Sequence, residues 1–355
     1  MNTKSVDAIA NAVLYEGYML YPYRPSSVKN RQRFNFGVLY PRSYSEAQTG
    51  LDACSMQTEC LVEGASLSAL EVKVRFLKLV NRLVHQVTAL GPLQQPIGTP
   101  VFKAVPVLEV DGKVFTPWQE AVEYEVTVPA CNLDTLTATP LEWKFAFPAK
   151  EETEPVIDAG GQLVGQIARK QESVQGTVEI KASHAADELF KVQVRVHNLT
   201  SLEYIAGEIS REHALVQSLV SAHILLGGVD GQFVSLLEPP EHLKDLAASC
   251  QNVGAWPVLV GNEGRRDTML CSPIILYDYP QIAPESPGDL FDGTEIDEIL
   301  ALRILTMTDA EKREMRNTDD RARKMLERTE ALPMEHLMKL HGTLRGLQSP
   351  KEEMP

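Results

Sequence analysis

The sequence predicts an α+β protein: an antiparallel β-sandwich core, a mixed α/β region beside it, and a C-terminal helical segment. Three observations carry this. Between residues 96 and 200 a series of short segments alternates apolar and polar residues, separated by turn signals, as strands of a sandwich of two antiparallel sheets do. Within it, Asp111-Gly112 stands between VLEV and KVF, a two-residue hairpin signal. From Thr294 onward the chain is helix-forming almost throughout.

Taken in order, VDAIANAVLYE places Val6, Ile9, Val13 and Leu14 at helical spacing and predicts a short helix. Tyr21-Pro22 and Tyr40-Pro41 force extended backbone, because proline pushes the residue before it out of the helical region. Between them FNFGVLY reads as a strand. MQTECLVEG and LEVKVRFLKLVNRLVHQV read as two strands or one long bent strand; Leu70, Val72, Val74 and Phe76 alternate with charged residues. YEVTVPACNL, LEWKFAFPA, GQLVGQIARKQ, GTVEIKAS and LFKVQVRVHNLT follow as strands.

Ser210 is placed to cap a helix running through REHALVQSLVSAHILL, although β-branched residues compete with that reading. GQFVSLLEPP, WPVLVG and SPIILYDYP read as strands and EHLKDLAASCQNVG as a short helix ending near Gly254. In the tail, Thr308 with Asp309 and Glu311 marks one helix start, Asn317-Thr318-Asp319 a second, and Pro333 the first turn of a third. Three regions result: 1–95 with the first strands, 96–293 as the β-rich domain with its mixed extension, and 294–355 as the helical segment.

The 355 residues carry 34 Lys and Arg against 48 Asp and Glu, for a formal net charge of −14. No apolar run approaches the roughly 18 to 20 residues a membrane-spanning helix needs, so a membrane-spanning protein is not expected. Asp7 and Glu16 interrupt the segment where a signal peptide would be apolar, which predicts a cytoplasmic protein. Five scattered cysteines, at 54, 60, 131, 250 and 271, make neither a disulfide framework nor a cluster motif, and reduced thiols are expected. Glycine-rich phosphate loops, the dinucleotide fingerprint, HExxH and GxSxG are absent from the sequence.

One stretch stands against the acidic balance. YPYRPSSVKNRQRFNFGVLYPR, residues 21 to 42, interleaves Arg24, Lys29, Arg31, Arg33 and Arg42 with five aromatics. Such patches are one footprint of single-stranded nucleic-acid binding. An acidic chain repels a polyanion elsewhere on its surface, so nucleic acid is not the expected partner. Binding of a protein partner or a smaller anion suits these five cations better.

An internal partner is also available. APESPGDLFDGTEIDE, residues 283 to 298, carries six acids and no cation, and arginine forks pair bidentately with carboxylates. Within it, Asp289, Asp292 and Glu295 could instead hold a divalent cation, since hard cations take clustered oxygen ligands. Acids ahead of a helix are equally what the helix dipole favours. His336 and His341 are five apart, which does not stack two ligands on one helix face.

YPYRPSSVKNRQRFNFGVLYPR, WPVLVG, DTMLCSPIILYDYPQIAPESPGDLFDGTEIDEIL and LRILTMTDAEKREMR together resemble an uncharacterised bacterial family encoded beside genes for high-affinity nickel-iron hydrogenases. The resemblance covers most of the chain and is most specific at residues 21–42 and 256–316. It implies a context and no catalytic residues: a noncatalytic accessory protein that assists assembly, maturation or scaffolding of the hydrogenase, with its subunits or other maturation proteins as partners and no cofactor. The alternative is a divalent-metal-dependent hydrolase or ligase using the acidic cluster at 285–298, with Arg24 or Arg31 holding an anionic substrate.

Overall fold

The computed structural model describes residues 3–16, 18, 24, 26–28, 30, 33–48, 52–90, 100–202, 210–281 and 303–333. Its contacts divide the chain into two compact units, Met1–Tyr18 with Gln32–Gln281, and Met19–Arg31 with Ile282–Pro355.

The first unit is built on one strand. β1 (Ser55–Leu90) runs for 36 residues, the single bent strand that its two alternating segments allowed. Antiparallel to it lie β2 (Pro100–Ala104), β5 (Trp118–Asn132), β8 (Leu163–Gln171), β10 (Leu189–Asn198) and β11 (Val220–Phe233). Beyond β10 follow β9 (Val174–Ala186) and β6 (Leu141–Phe147); beyond β11 follow β13 (Thr268–Ser272) and β12 (Trp256–Leu259). β7 (Lys150–Ile157) pairs with β8. These eleven strands form one hydrogen-bonded sheet, not two.

The antiparallel, sheet-cored α+β fold is therefore present, and its two layers arise by curling. β6 stands three strands from β1, about 14 Å away in a flat sheet at ~4.8 Å per step. Yet the rings of Phe76 in β1 and Phe145 in β6 are 6.2 Å apart. The sheet wraps back and closes over Val72, Val74 and Phe76 from β1, Val178 and Ile180 from β9, and Val192 and Val194 from β10. α3 (Leu133–Ala138) adds Leu133 and Leu136 to this core, and Asn132 caps it by accepting from the Thr135 amide at 3.0 Å.

On the outer face, α1 (Thr3–Leu14) lays Val6, Ala10 and Val13 on Leu225, Val258 and Leu270, as the helical spacing of its apolar residues required. The Asp111-Gly112 hairpin joins β3 (Leu108–Val110) to β4 (Lys113–Phe115), with φ of 51° and 75° at the two turn residues, the mirror-image turn that suits strand twist.

Several segments differ from the sequence expectation. GQFVSLLEPP is strand only to Phe233, and the helix expected over EHLKDLAASCQNVG ends at Ala248. FNFGVLY is not a strand, because Phe34 and Gly37 take φ of 60° and 53°; only Leu39 bridges to Leu219. Ser210 does cap a helix, but α4 (Arg211–Leu215) stops after five residues and the apolar run beyond it becomes β11, drawn into the sheet between β1 and β13. SPIILYDYP is irregular, and Thr268–Ser272 just before it supplies the strand. Two further α-helices among the described residues of this unit are α2 (Arg42–Ala47) and α5 (Lys244–Ala248).

In the second unit the described helices are α6 (Asp309–Arg316) and α7 (Asp320–Glu330). Both predicted starts hold. Thr308 and Glu311 form a reciprocal capping box, and Asp319 accepts from the amides of Arg321 and Ala322 at 2.9 and 2.8 Å. The third helix expected at Pro333 falls outside the described residues.

Candidate functional site

The five cations singled out by sequence have different fates. Arg24 reaches Glu311 in α6 at 2.5 Å, within the second unit. Beside it, Ser26 donates its amide and hydroxyl to the two carboxylate oxygens of Glu314, at 2.6 and 2.9 Å. Hydrogen bonds from the Thr308 backbone and hydroxyl hold the Glu311 carboxyl below its usual range, with Arg24 and Arg303 adding to the effect. A basic residue thus meets an acidic group of the same chain, though at α6 and not in residues 283–298. Those residues, with Asp289, Asp292 and Glu295, lie outside the described residues, as do Lys29 and Arg31.

Arg33 has turned inward in the first unit, with 5% of its surface exposed. Its guanidinium lies 3.7 Å from the centre of the Trp118 ring and 4.7 Å from that of Phe34. One terminal nitrogen donates to the Tyr18 carbonyl at 3.0 Å and the other to the Gln119 carbonyl at 2.8 Å. The planar, weakly hydrated guanidinium suits such stacked burial in a way an ammonium would not. The aromatics interleaved with these cations therefore serve packing at Phe34, where sequence pattern alone suggested base stacking.

Arg42 opens α2 with 58% of its side chain exposed, and its only carboxylate within 4 Å among the described residues is Glu46, at 3.8 Å. An exposed i,i+4 pair of this kind contributes roughly 0.3–0.5 kcal/mol and leaves the guanidinium available. Nearby, the tilted rings of Tyr40 and Tyr44 have centroids 5.1 Å apart, and burial raises the Tyr40 hydroxyl against the opposing charge of Arg211.

Sequence reasoning passed over two further features. The first is the pair of strand edges on β5 and β6. β5 is fifteen residues long and hydrogen-bonds to β1 only, and β6 to β9 only, among the described residues. Tyr124 of β5 and Phe147 of β6 meet edge to face at 4.5 Å between these two strands, half-buried together with Phe145. Pro129 sits opposite the register shift between Leu70 and Val72, a bulge where its missing N–H leaves no gap in the ladder. That proline inside an alternating run was the one signal in the sequence for an edge.

The second is Lys78. It continues the core-facing row of β1 after Val74 and Phe76 and has no exposed surface. Its ammonium donates to the Pro148 carbonyl at 3.3 Å and lies 5.4 Å from the centre of the Tyr124 ring. Burial lowers its pKa to about 8, against a small opposing pull from Glu172.

Against protein-family models and against curated proteins, the chain finds no match.

Proposed function

We propose that this protein is a noncatalytic accessory factor that binds other proteins, with the subunits or maturation proteins of a nickel-iron hydrogenase as its partners in the cytoplasm. The hydrogenase context comes from the sequence resemblance. The binding mode is supported by one structural observation: β5 and β6 each have only one sheet neighbour among the described residues. A strand edge is a row of amides and carbonyls able to accept an extended segment of a partner, with side-chain pockets at alternate positions supplying selectivity. Exposed Arg42 is the one member of the described basic set placed to add a salt-sensitive contact to a partner's carboxylates.

The test is copurification from cells producing the hydrogenase, with the captured subunits identified by mass spectrometry, followed by amide hydrogen exchange on the complex. Hydrogenase subunits should be recovered, and amides in residues 120–131 and 141–147 should slow on complex formation. Recovery of no hydrogenase or maturation protein would defeat the context; protection confined to other segments would defeat the binding mode.

A further inference from the structure

At the far end of the β1 and β11 pairing the strands lose register between Gly64 and Ala69. Asp230 there takes φ of 52°, in the left-handed region, and its carbonyl accepts from the buried Ser68 hydroxyl at 2.5 Å. Gly228 and Gly231 permit the kink: a Cβ on Gly228 would come within 2.5 Å of the Gly231 carbonyl oxygen. The turn carrying Arg265 and Arg266 is tied to this kinked strand by two backbone bonds, Gly228 amide to Asp267 carbonyl at 2.9 Å and Phe233 amide to Arg266 carbonyl at 2.7 Å.

Between strand and turn lies an open cleft of about 580 Å³, whose lining residues include Arg265, Arg266, Glu63, Asp230 and Asp267. Arg266 is braced by Glu63 at 3.0 Å and Gln232 at 2.6 Å, and Arg265 by Asp267 at 3.1 Å. A guanidinium has five N–H donors, so each braced fork keeps donors for a further oxygen anion. Asp230 is exposed, and its carboxylate makes no hydrogen bond or ion pair among the described residues. Three carboxylates against two guanidiniums leave one negative charge uncompensated, and it falls on Asp230.

The lining therefore offers donors for a carboxylate at one place and an acceptor for a cation at another, in a volume ordinary for small-molecule sites. We propose that this cleft binds a free amino acid with a cationic side chain, its carboxylate on Arg265 and Arg266 and its cationic end on Asp230. This site is separate from the β5 and β6 edges and does not depend on the partner reading.

Calorimetric titration of the full-length protein with L-arginine and L-lysine tests it, with agmatine (no carboxylate) and L-norleucine (no side-chain cation) as probes. Saturable heat is expected with L-arginine or L-lysine, and affinity at least tenfold lower for agmatine and norleucine. Asp230→Asn should weaken binding at least tenfold at an unchanged melting temperature, because asparagine also tolerates the left-handed backbone. Arg265→Gln, at a side chain 58% exposed, should do the same. No saturable heat with either amino acid at millimolar concentration, equal affinity for agmatine and arginine, or undiminished binding by Asp230→Asn would each overturn the proposal.

Discussion

Lys78 is the residue whose chemistry least matches its surroundings. A charged ammonium without exposed surface keeps a carbonyl at 3.3 Å and a ring face in place of its hydration shell. A folded pKa of about 8 against 10.5 means the unfolded chain binds the proton more readily between those values. Stability should therefore rise with pH from 8 to 10.5, and the penalty is fully present at neutral pH. Lys78→Met removes the charge and fills the same space, so it should stabilise the protein near pH 7 by about 3 kcal/mol at most, at 1.4 kcal/mol per unit. Urea unfolding at pH 7 and pH 10.5 checks both signs: the variant should exceed the natural protein at pH 7 and lose that advantage at pH 10.5. Nothing in RFLKLV distinguishes this lysine from a solvated one except its parity with Val74 and Phe76, which places it on the core face once the strand is granted. Arg33 is a similar case. Its charge was plain in the sequence, but its burial depends on Trp118, 85 positions away, and no local pattern could announce that.

At the scale of elements, what was legible was whatever is decided locally. Thr308 and Glu311 cap α6 through contacts three residues apart, and the hairpin at Asp111-Gly112 needs only its own two residues to favour left-handed backbone. Thr308→Ala removes one half of the capping box and should lower stability by about 1 kcal/mol, read as faster amide exchange across Asp309–Arg316. What was not legible was decided by neighbours. VSAHILLGG has the composition of a helix or a strand, and the available edges of β1 and β13 settle it as β11. β7, KEETEPVI, is not among the strands expected from the sequence, yet it is held to β8 by a ladder with Lys170 to Glu151 at 3.3 Å and Arg169 to Glu154 at 2.8 Å. Close approach of strands is likewise invisible locally. At Gly176 a Cβ would stand 2.2 Å from the His197 carbonyl oxygen and 2.5 Å from Phe145, where β6, β9 and β10 meet. Gly176→Ala must push the β10 backbone aside and should cost roughly 1–3 kcal/mol, measurable as a lowered midpoint of thermal unfolding.

At the scale of the whole molecule, charge decides which large partners are admissible. Residues 1–45 hold six cations against two acids, but the chain as a whole stands at −14. Binding to single-stranded nucleic acid needs several cations free to displace counterions from successive phosphates, together with ring faces free to stack. Of the cations of residues 21–42 whose side chains are described, Arg24 is engaged with Glu311 and Arg33 is enclosed against Trp118 and Phe34, which leaves Arg42. Arg42 by itself, in a negative field, cannot hold a strand against ordinary salt. The purified protein should therefore leave the fluorescence anisotropy of a labelled single-stranded oligonucleotide unchanged at roughly 50 mM salt, a condition that favours phosphate contacts. Binding that saturates there and weakens steeply as salt rises would reassign the basic segment to a polyanion, with Lys29 and Arg31 as the cations that carry it. No change in anisotropy is the expected result, since Arg24 is held by Glu311 and Arg33 by Trp118 and Phe34.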